Sequence, residues 1–139
     1  MQISESRDVT VAELVDLYGS VGWNAYTREP RRLAEAIANS SIVVLARDDR
    51  GVLIGLARGL SDDASVFYLQ DLLVRPDHQR TGIGTQLLAS CLERYRHVRQ
   101  KVLLADDEEA QRRFYERSGY RHATELEGAA LNAFVRLDG

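Results

Sequence analysis

The run from Tyr68 to Tyr95 constrains this chain most, because it reads in one pass as strand, glycine-containing turn and helix. Tyr68, Leu69, Leu72, Leu73 and Val74 suit a strand, and Pro76 and Asp77 stop it. Further on, Ile83, Leu87, Leu88, Cys91, Leu92 and Tyr95 recur at helical spacing and share one helix face. The turn between them is Gln79-Arg80-Thr81-Gly82-Ile83-Gly84. N–H groups at a helix start have no partner inside the helix, and the helix dipole adds partial positive charge there. Gly82 and Gly84 let an anion approach the backbone with no Cβ in the way. Arg80 adds a fixed charge and directional donors. The turn is therefore suited to a phosphate or pyrophosphate group.

Spacing narrows the ligand. The P-loop string G-x-x-x-x-G-K-S/T is absent, and the dinucleotide pattern G-x-G-x-x-G fails because Leu87 stands where its third glycine belongs. With Gln79, Gly82 and Gly84 just beyond the apolar end of a strand at Val74, the segment resembles the acetyl-CoA signature Q/R-x-x-G-x-G/A of the GNAT N-acetyltransferase superfamily. A second stretch, Phe114-Tyr115-Glu116-Arg117-Ser118-Gly119-Tyr120, resembles that family's F/L-Y-E-K/R-x-G-F/Y motif. The two come in family order at family separation. The resemblance is good over residues 40–137 and holds only in outline before that.

The resemblance implies an α/β fold (α+β in some schemes) forming a single domain over residues 1–139. Its centre would be a mixed, mostly antiparallel sheet of about six to seven strands, splayed between strands 4 and 5 and flanked by about four helices. It further implies acetyl transfer from acetyl-CoA to a primary amine of a small molecule, by direct attack in a ternary complex. Two other readings remain open: an acyl-CoA-binding sensor or interaction module without efficient catalysis, and a protein N-alpha or lysine acetyltransferase.

Taken in order, residues 1–9 hold a short first strand. Thr10 and Glu13 form a T-x-x-E capping box for a helix carrying Val11, Leu14, Val15 and Tyr18, which Gly19 or Gly22 ends. Pro30 opens a second helix through Asn39, with Leu33, Ala34, Ile37 and Ala38 inward. Trp23 and Tyr26, between these helices, either cover the edge of the core or wall the acceptor site. Ser41 to Arg47, Val52 to Leu60 and the strand from Val66 form an antiparallel meander, with Gly55 and Gly59 allowing bends or close approach. Lys101 to Ala105 is a strand reached by a parallel crossover. The next helix starts in Asp106-Asp107-Glu108-Glu109, where acidic groups suit the dipole, and Gly119 caps its end. Ala130 to Leu137 is a last strand.

The candidate site residues follow. The turn backbone from Arg80 through Thr81, Gly82, Ile83 and Gly84 to Thr85 would hold pyrophosphate, with Gln79 shaping its entry. The resemblance adds main-chain groups of Leu72, Leu73 and Val74 for the pantetheine arm, and Gln111, Phe114, Tyr115 and Arg117 as further cofactor contacts. Tyr115 is the candidate general acid, since a phenol can protonate a leaving thiolate; the plainer role is packing against the cofactor sulfur. Leu69-Gln70-Asp71 resembles the L-E-D string of polyamine and diamine acetyltransferases, but Gln70 cannot serve as a base. Neighbouring strand residues point to opposite faces. Asp71 is thus a buried structural acid, a substrate anchor or a base acting through water, and Trp23, Tyr26 and Gln70 are candidate substrate contacts.

Eighteen basic against twenty-one acidic residues give a net charge of −3, too balanced to suggest nucleic acid as the partner. The lone Cys91 lies on the apolar helix face, excludes an internal disulfide and fits a reducing compartment. No apolar run approaches membrane-spanning length and the start lacks a signal-peptide layout, so the expected location is the cytoplasm. His78, His97 and His122 are scattered and form no metal pair, so no metal is expected. A homodimer is compatible with the resemblance.

Overall fold

The computed structural model describes residues 1–138 as two compact units, Met1–Leu104 and the segment from Ala105 onward. In the first unit the elements run β1 (Gln2–Glu5), α1 (Val11–Ser20), α2 (Asn24–Thr27), α3 (Pro30–Asn39), β2 (Ile42–Arg47), β3 (Leu53–Ser61), β4 (Val66–Val74), α4 (Ile83–Arg94) and β5 (Gln100–Leu103). The strands form one open sheet in the order β1-β2-β3-β4-β5. Neighbours from β1 to β4 are antiparallel, while β5 joins β4 in parallel after the α4 crossover. The sheet is mixed and mostly antiparallel, as expected, but among the described residues it has five strands instead of six or seven.

Local chemistry sets the helix ends. Thr10 Oγ1 accepts from the Glu13 N–H at 3.1 Å while Glu13 Oε1 accepts from the Thr10 N–H at 2.9 Å, which is the capping box read from the sequence. Arg47 of β2 grips the same carboxylate and, with the Thr10 N–H, holds it down at about 2. Gly22, at φ +77, ends α1: its N–H reaches Gly19 C=O and the Trp23 N–H reaches Tyr18 C=O. Gly19 itself lies inside the helix. Pro30 opens α3, which buries Leu33 and Ile37; Ala38, expected inward, is exposed because it falls off that stripe. Arg7 closes the other end of α3 by donating to the carbonyls of Ile37 and Ser40.

The sheet is covered on both faces. Leu14, Leu17 and Tyr18 of α1 and Leu33 and Ile37 of α3 pack with Val43, Leu45, Leu56 and Leu73 of the strands. On the other face α4 comes so close that a Cβ on Gly55 would lie 3.1 Å from Leu87 and 3.4 Å from Ile83. Phe67 stacks on Tyr95 on that side, with ring centroids 4.7 Å apart.

The fourth strand contains an irregularity that the alternation argument missed. Arg58 pairs with Asp71 and Gly59 with Leu69, so Gln70 has no partner on β3. This is a β-bulge, and it inverts the strand's phase. Leu69 lies across from Gly59, whereas Asp71 and Leu73 turn to the α1 face. The β4–β5 ladder also ends at Leu69, opposite Leu103, so from Gln70 to Val74 β4 has no strand on its β5 side. That is the expected splay between the fourth and fifth strands.

In the second unit α5 spans Glu109–Arg117. It starts at the last of the four acids rather than the first, and no side chain caps it. Gly119, at φ +94, and Tyr120 close its C-terminus through bonds to Glu116 C=O and Tyr115 C=O. The strand expected over 130–137 is absent: these residues form no ladder, and Leu131 N–H instead reaches Ala123 C=O at 2.9 Å. A strand needs a neighbour to take its N–H and C=O groups, and none of the described strands pairs with this segment.

Candidate active site

The turn before α4 leads to an open helix N-terminus. Pro76–His78 form a single 3₁₀ turn, Arg80 adopts φ +63, and Gly82 takes the N-cap position at φ +86. Few residues other than glycine accept that last conformation. The ladder of α4 opens with the Gln86 N–H donating to Gly82 C=O at 3.1 Å, so the amides of Ile83, Gly84 and Thr85 face out of the helix end. Gln79 braces the turn by donating from Nε2 to Val74 C=O at 3.0 Å, and Thr81 Oγ1 ties it to His78 C=O. The side chains of Arg80 and Thr81 are exposed. Val74, Leu73 and Leu72 lead into this turn along the stretch of β4 that lacks a β5 neighbour.

A buried polar network lies at the bulge. Asp71 is 3% exposed. Its Oδ2 accepts from Arg58 Nε at 2.6 Å and from the Tyr18 hydroxyl at 2.9 Å. Its Oδ1 accepts from the Tyr26 hydroxyl at 2.9 Å. The Tyr26 oxygen in turn accepts from Arg58 Nη2 at 3.1 Å and from Gln70 Nε2 at 3.2 Å. Gln70 and Asp71 therefore reach the same hydroxyl, because the bulge turns both toward α2. Burial first, and then the Asp71 charge, push the Tyr18 and Tyr26 phenols upward, so both stay neutral donors. Burial alone would lower the Arg58 guanidinium, but the Asp71 charge and hydrogen bond outweigh it and move it upward.

Of the three roles open to Asp71, this geometry matches a buried structural acid, held by one cation and two hydroxyls. Sequence reasoning passed over Arg58 and Tyr18. The signal was present: Arg58 is a lone charge in the apolar run Leu53-Ile54-Gly55-Leu56-Ala57, and Asp71 is another in the adjoining strand. Tyr26 sits in the one-turn helix α2 and Trp23 at its N-cap, both half-buried. Their rings and that of Tyr18 form an aromatic cluster, with Tyr18 and Tyr26 centroids 5.0 Å apart. They thus cover the core edge and support the Gln70 face together.

In the second unit Gln111, Phe114, Tyr115 and Ser118 are partly buried along one side of α5 and its end, while Arg117 is exposed. Gln111 Oε1 accepts from the Asp106 N–H at 3.2 Å, so its side chain shapes the approach to the helix. The Tyr115 ring meets Phe114 and Tyr120 edge-on. Burial, aided by the Asp106 charge, pushes its phenol up to about 12.

Comparison with known proteins decides the family. Residues 9–120 match the acetyltransferase (GNAT) family. The chain belongs to that family. It is 26% identical over 121 residues to the uncharacterized N-acetyltransferase ycf52 of Pyropia yezoensis, covering 85% of this chain and 68% of that protein. It is 32% identical over 130 residues to the histone acetyltransferase TAP1 of Glycine max, covering 84% of this chain and 54% of that protein. The solved structure of a GNAT-family acetyltransferase from Streptococcus pneumoniae is similar at a TM-score of 0.78 and 27% identity, covering 98% of each chain.

Within this GNAT acetyltransferase, Cys91 is fully buried, and burial, then the charge of Glu5, pushes its thiol up to about 12. It is not poised as a nucleophile. No cluster of three His, Cys, Asp or Glu suited to a metal occurs among the described residues, and no described helix is long and apolar enough to cross a membrane.

Proposed function

We propose that this protein transfers the acetyl group of acetyl-CoA to a primary amine of a small molecule, by direct attack in a ternary complex. One observation carries the reading: the stretch of β4 left unpaired on its β5 side leads through the glycine turn to the open N-terminus of α4. The residues present fit coenzyme A. Amides of Arg80 to Thr85 and the Arg80 side chain would take the diphosphate. Main-chain groups of Val74, Leu73 and Leu72 would take the pantetheine arm as an added strand. Gln111, Phe114 and Arg117 would be further contacts. When bound, the thioester supplies the acyl carbon to which the amine nitrogen bonds as the carbon–sulfur bond breaks.

Tyr115 is proposed to hand its phenolic proton to the leaving sulfur. A phenol pushed up to about 12 keeps that proton at every physiological pH. The amine's own proton leaves through water, since Asp71 is occupied by Arg58, Tyr18 and Tyr26. The buried Cys91 argues against a covalent acetyl-enzyme route. The family match spans both units, which supports a single catalytic domain over 1–139. The lone buried cysteine suits the reducing cytoplasm.

The test is thiol release from acetyl-CoA against a panel of small amines. Tyr115→Phe is expected to lower turnover by about a hundredfold while leaving acetyl-CoA affinity nearly intact. Unchanged turnover removes the acid role. Absence of amine-dependent release from wild type favours a binding module. Likeness to a histone acetyltransferase supports a second reading, a protein lysine acceptor; faster release with lysine peptides than with small amines would establish it.

A further inference from the structure

Gln70 occupies the one position on β4 that lacks a strand partner on both sides: β3 skips it, and β5 has stopped one residue earlier. Its side chain is exposed, yet its amide is not free to turn. The reason is a count of protons around Tyr26. That hydroxyl has one proton and two lone pairs. The proton goes to Asp71 Oδ1, a charged acceptor that outcompetes a neutral amide. Both lone pairs are then filled, one by Arg58 Nη2 and the other by Gln70 Nε2. If the Gln70 amide were reversed, its oxygen would face a hydroxyl whose only proton is already committed. The NH₂ group must therefore point inward, and Oε1 points outward with no protein partner among the described residues.

We infer that Gln70 Oε1 accepts an N–H of the incoming amine and thereby aims its lone pair, with Tyr26 as the positioning residue that locks the amide. This rests on the acetyltransferase reading above and specifies how its acceptor is held. An uncharged acceptor cannot remove a proton, so its contribution is direction rather than basicity. The negative charge of Asp71 is already paired with Arg58, so the bulge offers the amine a dipole and no ion pair.

Steady-state kinetics with a turned-over amine test this, using wild type, Gln70→Ala, Tyr26→Phe and the double variant. Gln70→Ala is expected to raise the amine KM about tenfold and leave the acetyl-CoA KM unchanged. Tyr26→Phe should raise the amine KM in the same direction by less, because the freed amide then spends part of its time reversed. The double variant should be no worse in amine KM than Gln70→Ala alone. Unchanged amine kinetics in Gln70→Ala, with wild type active, overturn the inference alone; a fully additive double variant overturns the locking by Tyr26. A wild type inactive toward every amine overturns the acetyltransferase reading and this inference with it. Should Tyr26→Phe fail to fold, the exposed Gln70→Ala still decides the contact.

Discussion

Asp71 illustrates how a residue's partners, rather than its type, assign its role. A carboxylate on the strand that leads to the glycine turn suggests a base, but this one accepts from Arg58, Tyr18 and Tyr26. Both members of the ion pair are nearly inaccessible, with side chains 8% and 4% exposed. Removing one partner leaves the other charged and desolvated, which costs far more than the pair itself is worth. Arg58→Met is therefore expected to destabilise the protein by about 3–5 kcal/mol, measured by urea unfolding. Replacing both partners, as in Arg58→Met with Asp71→Leu, should recover much of that loss. An Arg58→Met protein as stable as wild type would show that the carboxylate had found another counter-charge.

The bulge is the element that most shapes the site. It depends on a close approach between β3 and β4: a Cβ on Gly59 would lie 2.4 Å from the Phe67 ring and 2.8 Å from the Tyr68 carbonyl oxygen. Phe67 cannot retreat, because it is fully buried and stacked on Tyr95. Gly59→Ala should cost about 1–3 kcal/mol by overpacking, read from the midpoint of chemical denaturation. It should also disturb amine kinetics, since the strain falls beside Gln70. An unaltered midpoint would mean that the two strands can part without penalty. The glycine was legible in the sequence as a site of close approach. The bulge was not, because it exists only once β3 and β4 are in register.

At the scale of the whole molecule, ligand binding should report on the unit that carries the cradle. A ligand that binds only the folded state stabilises it in proportion to the logarithm of its excess, by about 2.7 kcal/mol at a hundredfold excess over Kd. Coenzyme A is accordingly expected to raise Tm, and Arg80→Ala to shrink that rise. No change in Tm at saturating coenzyme A would count against the cradle.

The strand–turn–helix unit, the capping box at Thr10 and the glycine stops at Gly22 and Gly119 were readable from the chain alone, because each depends on neighbours a few residues away. Family membership was readable for the same reason, since its two motifs are short and contiguous. Tertiary structure alone decided the burial of Asp71 by Arg58, the shared hydroxyl that joins Gln70 to Asp71, and the lack of a strand over 130–137. Those outcomes hinge on partners supplied by distant segments. A side-chain alternation of two carries no warning that one extra residue will reverse it.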